Sequence, residues 1–356
     1  MAGGIASKLL PWFDRHGRHD LPWQDTPSNR RTPYRVWVSE VMLQQTQVAT
    51  VVRYFARFVR ALPDVRALAD ASEDEVLALW SGLGYYRRAR HLHRAAQVCV
   101  AQHGGELPRD FESLAALPGI GRSTAGAILA LAHGERFPIL DGNVKRVLTR
   151  VHGVQGWPGE RAIEQRLWVM ADDNTPRARV ADYTQAIMDL GATVCTRAKP
   201  RCPECPLVKD CIARTEGLTG ALPQPRPARA LPQKQTVMLI LRDAQDRVLL
   251  QRRGASGVWS GLWSLPEAVD RASADRVASE LARLDQAEAE PLPAFLHVFT
   301  HYKLQALPLL WRDARAHRAI ADAPDQRWCS RAELMALGIP APVRKLLDDL
   351  DREPVT

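Results

Sequence analysis

The feature that most constrains the fold of this chain is a change in hydrophobic periodicity across a proline-rich segment. Up to about residue 217, apolar residues recur at helical spacing, as Val41, Val48 and Val52 do. From about residue 234, short β-rich runs alternate with turns, beginning with the predicted hairpin "QTVMLILRDAQDRVLLQRR". The sequence therefore predicts an all-α domain over residues 1–217, a linker over residues 218–233 and a smaller α+β domain over residues 234–356.

Length and charge agree with a two-domain protein that has a polyanionic partner. The chain has 356 residues, which is long for a single core, and carries a net charge of +8. That charge favours nucleic acid, although it is also compatible with a mildly basic enzyme. The N-terminus lacks the apolar core of a signal peptide, and no run approaches about 18 apolar residues. We therefore expect a cytosolic protein without a membrane partner.

A glycine-containing turn lies between two predicted short helices, over about residues 111–133. In "LPGIGRSTAG", Gly119 and Gly121 bracket a single residue, and apolar residues at helical spacing stand on both sides. Such a turn directs backbone N–H groups outward at the start of the second helix, where they suit an anion. With the positive net charge, the anion is expected to be a DNA phosphate.

Four of the six cysteines are concentrated in one short segment. Cys195, Cys202, Cys205 and Cys211 have the spacing C-x6-C-x2-C-x5-C. Thiolates at this density bind zinc or an iron–sulfur cluster. Zinc sites usually pair two short arms and only the middle pair is short here, so the spacing favours a [4Fe–4S] cluster, with zinc as the alternative.

Two carboxylates stand in contrasting surroundings. Glu40 lies in the apolar "VWVSEVML", where poor solvation would raise its pKa and keep it a neutral acid; a buried glutamate paired with an arginine is the alternative. Asp141 precedes a predicted helix in "LDGNVKRVL", where it can act as an N-cap and the helix dipole would keep it ionised. A neutral acid together with a carboxylate anion is the pair that cleaves glycosidic bonds.

Together, these stretches resemble the MutY family of adenine DNA glycosylases, which shares the helix-hairpin-helix superfamily with endonuclease III. "SEVMLQQTQV", "GLGYY", "LPGIGRSTAGAI", "LDGNVKRV" and the cysteine spacing occur in the family's order. The resemblance covers nearly the whole chain. It implies a [4Fe–4S] cluster on the four cysteines and a monomeric enzyme whose partner is double-stranded DNA. The implied reaction is hydrolysis of the N-glycosidic bond of adenine opposite 8-oxoguanine or guanine, in base excision repair.

The resemblance also implies roles for individual residues. By similarity, Glu40 protonates adenine at N7, Asp141 stabilises the sugar cation and Asn143 hydrogen-bonds near the same centre. Gln185 matches a position that contacts the flipped adenine. Residues implied to contact the DNA are Gln45 and Tyr85, which enter the duplex, Leu83 beside them, the turn residues Gly119, Gly121 and Ser123, and the arginines Arg87, Arg88, Arg90 and Arg94.

The turn residue Ser123 implies that the enzyme does not cut the strand. In endonuclease III a lysine at this position attacks the sugar and forms a Schiff base. A serine hydroxyl cannot form an imine, so the resemblance implies a monofunctional glycosylase. Lys145, close to Asp141 in sequence, could trap the abasic sugar weakly as a side reaction.

The C-terminal part resembles the Nudix fold of MutT through "VLLQRR" and "SGVWSGLWSLPEA". A Nudix hydrolase needs a helix rich in carboxylates to hold Mg²⁺, but Glu267 is followed by "AVDRASADRVASELARL". The resemblance therefore implies lesion recognition without hydrolysis. Phe299, Thr300 and His301 match a Phe-Ser-His loop that contacts 8-oxoguanine, with threonine as the departure.

Two other functions remain as alternatives. One is an endonuclease III-like lyase acting on oxidised pyrimidines, which Ser123 and the C-terminal domain disfavour. The other is a non-catalytic, redox-sensing iron–sulfur protein that binds DNA, which the pair Glu40 and Asp141 disfavours.

Overall fold

The computed structural model describes residues 4–24, 31–227, 230–254, 257–284, 288–316 and 324–350. The chain divides into two units by its internal contacts. The first comprises Met1–Asp70 with His91–Ala228, and the second comprises Ala71–Arg90 with Arg229–Thr356. Residues 71–90, which the periodicity assigns to the helical domain, thus group with the C-terminal residues.

The part of the chain before the linker is helical, as the periodicity predicts. Its α-helices are α1 (Ile5–His16), α2 (Pro33–Leu43), α3 (Val48–Ala61), α4 (Val65–Asp70), α5 (Glu73–Trp80), α6 (Arg87–Gln102), α7 (Phe111–Ala116), α8 (Arg122–His133), α9 (Gly142–Val151), α10 (Arg161–Asn174), α11 (Val180–Asp189) and α12 (Ile212–Thr215). A π-helical turn, Leu190–Val194, continues α11, and a 3-10 turn spans Cys202–Glu204.

Helix α8 forms the centre of the first unit. It packs against α2, α7 and α11, and every residue from 125 to 131 is buried. Small residues allow this close approach. A Cβ on Gly126 would lie 2.7 Å from the carbonyl oxygen of Pro138, so the extended residues 138–140 can lie directly on the helix. This packing fixes the chain immediately before Asp141.

The C-terminal residues form the predicted α+β fold. Its strands are β1 (Gln233–Leu241), β2 (Val248–Arg252), β3 (Trp263–Ser264), β4 (Glu267–Ala268), β5 (Ala282–Arg283), β6 (Glu290–Pro291), β7 (Phe295–Val298), β8 (Lys303–Trp311), β9 (Arg315–Ala316) and β10 (Gln326–Cys329). Its helices are α13 (Arg271–Leu281), α14 (Arg331–Met335) and α15 (Ala341–Leu350).

A mixed sheet organises this fold. Strands β1 and β8 are parallel, with Gln233 opposite Lys303 and Leu241 opposite Trp311. Strand β4 pairs with the outer edge of β1, whereas β6 and β7 pair with successive parts of the outer edge of β8. A second sheet has the order β10-β2-β3, and β5 pairs with β9. Alternate β1 side chains enter two hydrophobic cores, one containing α13 and the other α14 and α15.

Residues 71–90 are tied to the C-terminal fold by specific contacts. Ser72 and Glu75 form a capping box at the start of α5, as the sequence "SEDE" predicts. A Cβ on Gly338 would lie 2.8 Å from the Cβ of Leu77, so this glycine permits close packing on α5. The Tyr86 hydroxyl donates a hydrogen bond to the carbonyl oxygen of Ile339 at 3.0 Å. The second unit therefore contains both the "GLGYY" loop and the mixed sheet of the C-terminal residues.

No helix among the described residues is long and apolar enough to span a membrane.

Candidate active site and cysteine loop

Asp141 lies where the extended residues 138–140 end and α9 begins. Its carboxylate caps the helix by accepting the Val144 N–H at 2.8 Å, as predicted. The Ser123 hydroxyl, on the second residue of α8, accepts the Leu140 N–H at 2.9 Å. The two hydrogen bonds hold the backbone on both sides of Asp141.

Glu40 lies near the end of α2, between the buried residues Ser39 and Val41. Its own side chain remains partly exposed at the protein surface. Burial raises the pKa of Glu40 to about 8, and the nearby negative charge of Asp141 adds to the effect. No arginine–Glu40 ion pair occurs among the described residues, so the structure favours the neutral acid over the paired glutamate.

The electrostatics of Asp141 differ from the prediction. Burial raises the pKa of Asp141, although the Val144 N–H, the Arg146 charge and Asn143 oppose the rise. The expected lowering is therefore wrong in direction, because desolvation outweighs the helix N-terminus. The negative charge of Asp141 contributes to the raised pKa of Glu40, and the Val144 N–H and the Asn143 amide donate to the Asp141 carboxylate.

Asn143 and Arg146 orient the Asp141 carboxylate. The Asn143 amide donates to Asp141 at 3.4 Å, while its oxygen accepts from Arg146 at 2.8 Å. Arg146 also donates to the carbonyl oxygens of Gly191 and Cys195, each at 2.7 Å. Arg146 was not among the residues expected from the sequence; its spacing of three residues from Asn143 on α9 was the available signal.

Gln185 lies on α11, which packs against α8 and α9. Its side chain is 5% exposed, and its amide donates to the Asp189 carboxylate at 2.8 Å. Asp189 also accepts from the Arg18 side chain. Lys145, in the first turns of α9, forms an ion pair with Glu164 at 2.6 Å.

The four cysteines surround one cavity. Cys195, Cys202, Cys205 and Cys211 line it together with apolar residues and Arg150. No group of three His, Cys, Asp or Glu side chains among the described residues has the arrangement of a metal-ion site. Burial and the charges of the other thiols raise the pKa of Cys205 to about 11, so ligation would require loss of its proton. The thiol set nevertheless has the donor chemistry of a cluster site.

Arg150 holds the cysteine loop against α9. It is 2% exposed, donates to the Cys195 Sγ at 3.3 Å and donates to the carbonyl oxygens of Thr196 and Arg197 at 2.7 and 3.0 Å. Arg150 was not among the residues expected from the sequence. The loop also exposes Arg197, Lys199 and Lys209.

The predicted phosphate-binding turn is exposed at both glycines. Gly119 has a φ of +80°, and a Cβ there would lie 2.7 Å from the Cβ of His91. Gly121 forms the N-cap of α8. Glycine at position 119 thus permits both the left-handed backbone and the close approach of His91.

The residues expected to enter the duplex fall into two groups. Gln45 and Tyr85 are exposed and have positive φ values of 62° and 49°. Such strained backbone at a non-glycine residue is typical of functional loops. Leu83, by contrast, is 6% exposed. Leu83 packs within its loop, and its expected contact with DNA stays a prediction.

Two of the four arginines after "GLGYY" have partners within the protein. Arg88 donates to the carbonyl oxygen of Gly84 at 3.1 Å, and burial lowers its pKa to about 10. Arg90 donates to the Ser260 hydroxyl. Arg88 and Arg90 therefore stabilise the second unit, and the expected phosphate contacts stay predictions.

Phe299, Thr300 and His301 form the turn between β7 and β8, closed by a hydrogen bond from the Phe299 N–H to the Tyr302 carbonyl at 2.9 Å. Thr300 and His301 are exposed, and their side chains lie 3.3 Å apart. Phe299 packs at ring-centroid distances of 5.2, 4.6 and 4.8 Å against Trp259, His297 and Tyr302. This aromatic cluster, which the sequence analysis did not identify, presents the two polar residues outward.

Comparison with known proteins agrees with these features. The model of the HhH-GPD superfamily of base excision DNA repair proteins matches residues 38–173, and the NUDIX domain model matches residues 237–349. The adenine DNA glycosylase of Buchnera aphidicola subsp. Acyrthosiphon pisum (strain APS) is 36% identical over 344 residues, which cover 97% of each chain. The adenine DNA glycosylase of Homo sapiens is 34% identical over 397 residues, covering 95% of this chain and 72% of the human chain.

Solved structures support the fold of the helical part. A thermostable thymine-DNA glycosylase aligns with a TM-score of 0.53 and 26% identity, over 60% of this chain and 95% of that chain. A non-covalent endonuclease III–DNA complex aligns with a TM-score of 0.50 and 22% identity, over 59% and 94%. With relatives at 36% identity over nearly the whole length, this chain belongs to the adenine DNA glycosylase family, with a helix-hairpin-helix glycosylase part followed by a Nudix-like domain.

Proposed function

We propose that this protein removes adenine from DNA by hydrolysing its N-glycosidic bond when adenine lies opposite 8-oxoguanine or guanine. The observation that carries the proposal is the electrostatic pair Glu40 and Asp141. The pKa of Glu40 is near 8, and the negative charge of Asp141 contributes to this rise. Asp141 itself accepts a hydrogen bond from the Val144 N–H at the start of α9. A proton donor beside an anion is the arrangement that this reaction requires.

Glu40 acts first, as the acid. It donates its proton to adenine N7, so the base leaves as a neutral species and the bond between N9 and C1′ breaks. The bonding electrons go to the base, which leaves an oxocarbenium ion on the sugar. The raised pKa suits this role because the carboxyl group still holds its proton at neutral pH.

Asp141 then faces the cation. Its charge stabilises the oxocarbenium ion, and the hydrogen bonds from Val144 and Asn143 fix the direction of the carboxylate before the reaction. Water adds to C1′ and its proton passes to the Glu40 carboxylate, which yields the abasic sugar and regenerates the neutral acid. Asp141 can also form a short-lived covalent adduct before water attacks.

The target base must leave the helix to reach these groups, at a cost of a few kcal/mol. We assign Gln45 and Tyr85 to the gap that remains. Both are exposed on strained turns. Gly119 and Gly121 present backbone N–H groups to a phosphate, and the exposed basic residues of the cysteine loop suit the flanking backbone.

The same site favours base removal without strand cleavage. Ser123 has no amine, and its hydroxyl accepts from the Leu140 N–H. The nearby Lys145 is in an ion pair with Glu164. A lyase reaction needs an amine that attacks C1′, so strand cleavage should require alkali or a second enzyme.

The Nudix-like domain is proposed to read the base opposite adenine. Thr300 and His301 provide a hydroxyl and an imidazole on an exposed turn that Phe299 anchors. Hydrogen bonds from these groups would distinguish 8-oxoguanine from guanine.

A [4Fe–4S] cluster on Cys195, Cys202, Cys205 and Cys211 is the proposed cofactor. When bound, it would supply a rigid crosslink for the basic loop rather than a reactive group. Arg146 and Arg150 attach this loop to α9. Iron and sulfide analysis of anaerobically purified protein should give about four irons per chain; stoichiometric zinc would overturn this assignment.

The function is tested by single-turnover assays on duplexes with adenine opposite 8-oxoguanine or guanine, with and without alkali. We expect adenine release from both and strand breaks after alkali alone. The double variant Thr300→Ala/His301→Ala should lose about tenfold or more of its preference for 8-oxoguanine, since such contacts are worth about 1–3 kcal/mol. Failure to release adenine would overturn the proposal, and an unchanged preference would overturn the role of the turn.

A further inference from the structure

We propose that Asp189 is a positioning residue that fixes the amide of Gln185 with its oxygen available to the base, and so selects 6-aminopurines over 6-oxopurines. The inference rests on the proposed function, because it takes Gln185 as a contact of the flipped base. The residues that carry it are Gln185, Asp189 and Arg18, all in the first unit.

The three residues form a largely buried chain of hydrogen bonds. Arg18 donates to the Asp189 Oδ1 through Nε at 2.9 Å and through Nη2 at 2.5 Å. The backbone N–H of Arg18 donates to the other carboxylate oxygen at 2.8 Å. Gln185 Nε2 donates to Oδ1 at 2.8 Å. The Asp189 side chain is 1% exposed, so these protein donors replace water as its partners.

This arrangement determines which end of the amide faces Asp189. A carboxylate paired with a guanidinium has acceptors and no donors. The Gln185 oxygen would be repelled from it, so Nε2 must occupy that side. The geometry therefore leaves Oε1, an acceptor, as the end of the Gln185 amide that can meet a base.

An acceptor at this position discriminates at C6 of a purine. Adenine carries an amino group there, which donates, whereas guanine and hypoxanthine carry a carbonyl, which accepts. An amide free to rotate could satisfy either group, because Nε2 would donate to a carbonyl. The fixed amide accepts from adenine and leaves two acceptors facing each other in a 6-oxopurine complex.

Backbone packing holds Gln185 in place, in addition to the hydrogen bond that its side chain makes. Helix α11 packs against α9, and Arg146 joins the π-helical turn after α11 to Asn143 near the start of α9. A Cβ on Gly191 would lie 2.6 Å from the Cβ of Asn143, so the two segments are in close contact. An amide held on α11 is thereby held relative to Asp141.

The test compares single-turnover release of adenine and hypoxanthine opposite 8-oxoguanine. The double variant Arg18→Met/Asp189→Leu removes the carboxylate without leaving a buried charge unpaired. Its adenine-to-hypoxanthine rate ratio should fall at least about tenfold relative to wild type, since the amide can then turn. Gln185→Leu, which removes the acceptor itself, should lower the ratio independently.

Two matched variants separate orientation from general loosening. Arg18→Lys keeps a cation beside the carboxylate, and Asp189→Asn keeps one oxygen for Gln185, so both should retain a ratio close to that of wild type. Asp275→Asn, which alters an exposed Arg–Asp pair on α13, serves as the remote control. Thermal unfolding of each variant verifies that it is folded.

An unchanged adenine-to-hypoxanthine rate ratio in the double variant, or in Gln185→Leu, would overturn the inference. The proposed function would still stand if the wild-type protein releases adenine. An equal fall in Arg18→Lys would also overturn the inference, because the paired carboxylate is still present there. If wild type released no adenine at all, the proposed function would fail, and this inference with it.

Discussion

The Ser123 hydroxyl accepts a hydrogen bond from the Leu140 N–H, one residue before Asp141. Ser123→Lys should therefore have two effects. The new amine can form an imine with the abasic sugar, so borohydride trapping should increase. Adenine release should fall several-fold, because the Leu140 N–H loses an acceptor worth about 1 kcal/mol. Ser123→Ala separates the effects: we expect slower release without new trapping. A lysine variant that traps no more DNA than wild type would contradict this prediction.

Glu40→Gln should abolish adenine release while sparing DNA binding, because an amide keeps the shape but has no proton to give. We expect a loss of at least about 10²–10⁴-fold in single-turnover rate. In wild type, the rate should decline as the pH rises above about 8, where Glu40 loses its proton. A variant rate near that of wild type, or a wild-type rate that rises through pH 8, would exclude Glu40 as the acid.

The same substitution should stabilise the fold at high pH. The pKa of Glu40 rises from about 4.5 to about 8 on folding, so the native state binds more protons between these values. The free energy of unfolding of wild type should thus decrease, relative to the variant, as the pH increases from about 4.5 through 8. Because the Glu40 side chain is partly exposed, we expect the free energies of unfolding of wild type and variant to differ by about 1–3 kcal/mol at pH 8.5. Denaturant unfolding of both proteins at pH 5 and 8.5 measures it; a constant difference would contradict the raised pKa.

Glu164→Gln should increase side reactions with the abasic site. Glu164 holds the Lys145 ammonium in an ion pair at 2.6 Å. Without that carboxylate, the amine is freer to attack C1′, and borohydride trapping should rise several-fold. Lys145→Ala should reduce trapping below the wild-type level, and Glu280→Gln, in an exposed pair on α13, should leave it unchanged. Equal trapping by Glu164→Gln and wild type would show that the pair does not restrain the lysine.

Periodicity and local motifs predicted the helical part, the α+β part, the Asp141 N-cap and the Ser72 capping box. They did not predict the break after α2, because residues 44–47 contain no glycine or proline, and Gln45 instead adopts a positive φ. Partners that lie far from an arginine in sequence were not predicted either. Arg150 is 45 positions from Cys195 and Arg18 is 171 from Asp189, and an arginine's partner is set by packing, not by its neighbours in sequence.

The pKa of Asp141 is a second property that could not be predicted from the sequence. The helix N-terminus is visible in sequence and favours a charged aspartate. The degree of burial depends on tertiary packing, and its effect on the pKa of Asp141 is opposite and larger. The sequence therefore identified Asp141 as a candidate functional residue and as a helix N-cap, but it did not predict the direction of its pKa shift.

The contacts of α5 have a consequence for protein engineering. A chain cut near Leu222 would retain Glu40, Asp141 and the four cysteines, yet it would remove the surface on which Leu77 and Tyr86 pack. A chimera joined at the linker would likewise pair residues 71–90 with a foreign surface. Exchange of the C-terminal part between relatives should therefore transfer residues 71–90 with it, as a second crossover inside the helical sequence. In this protein the module that can be exchanged is discontinuous in the gene, although the linker suggests a single joint.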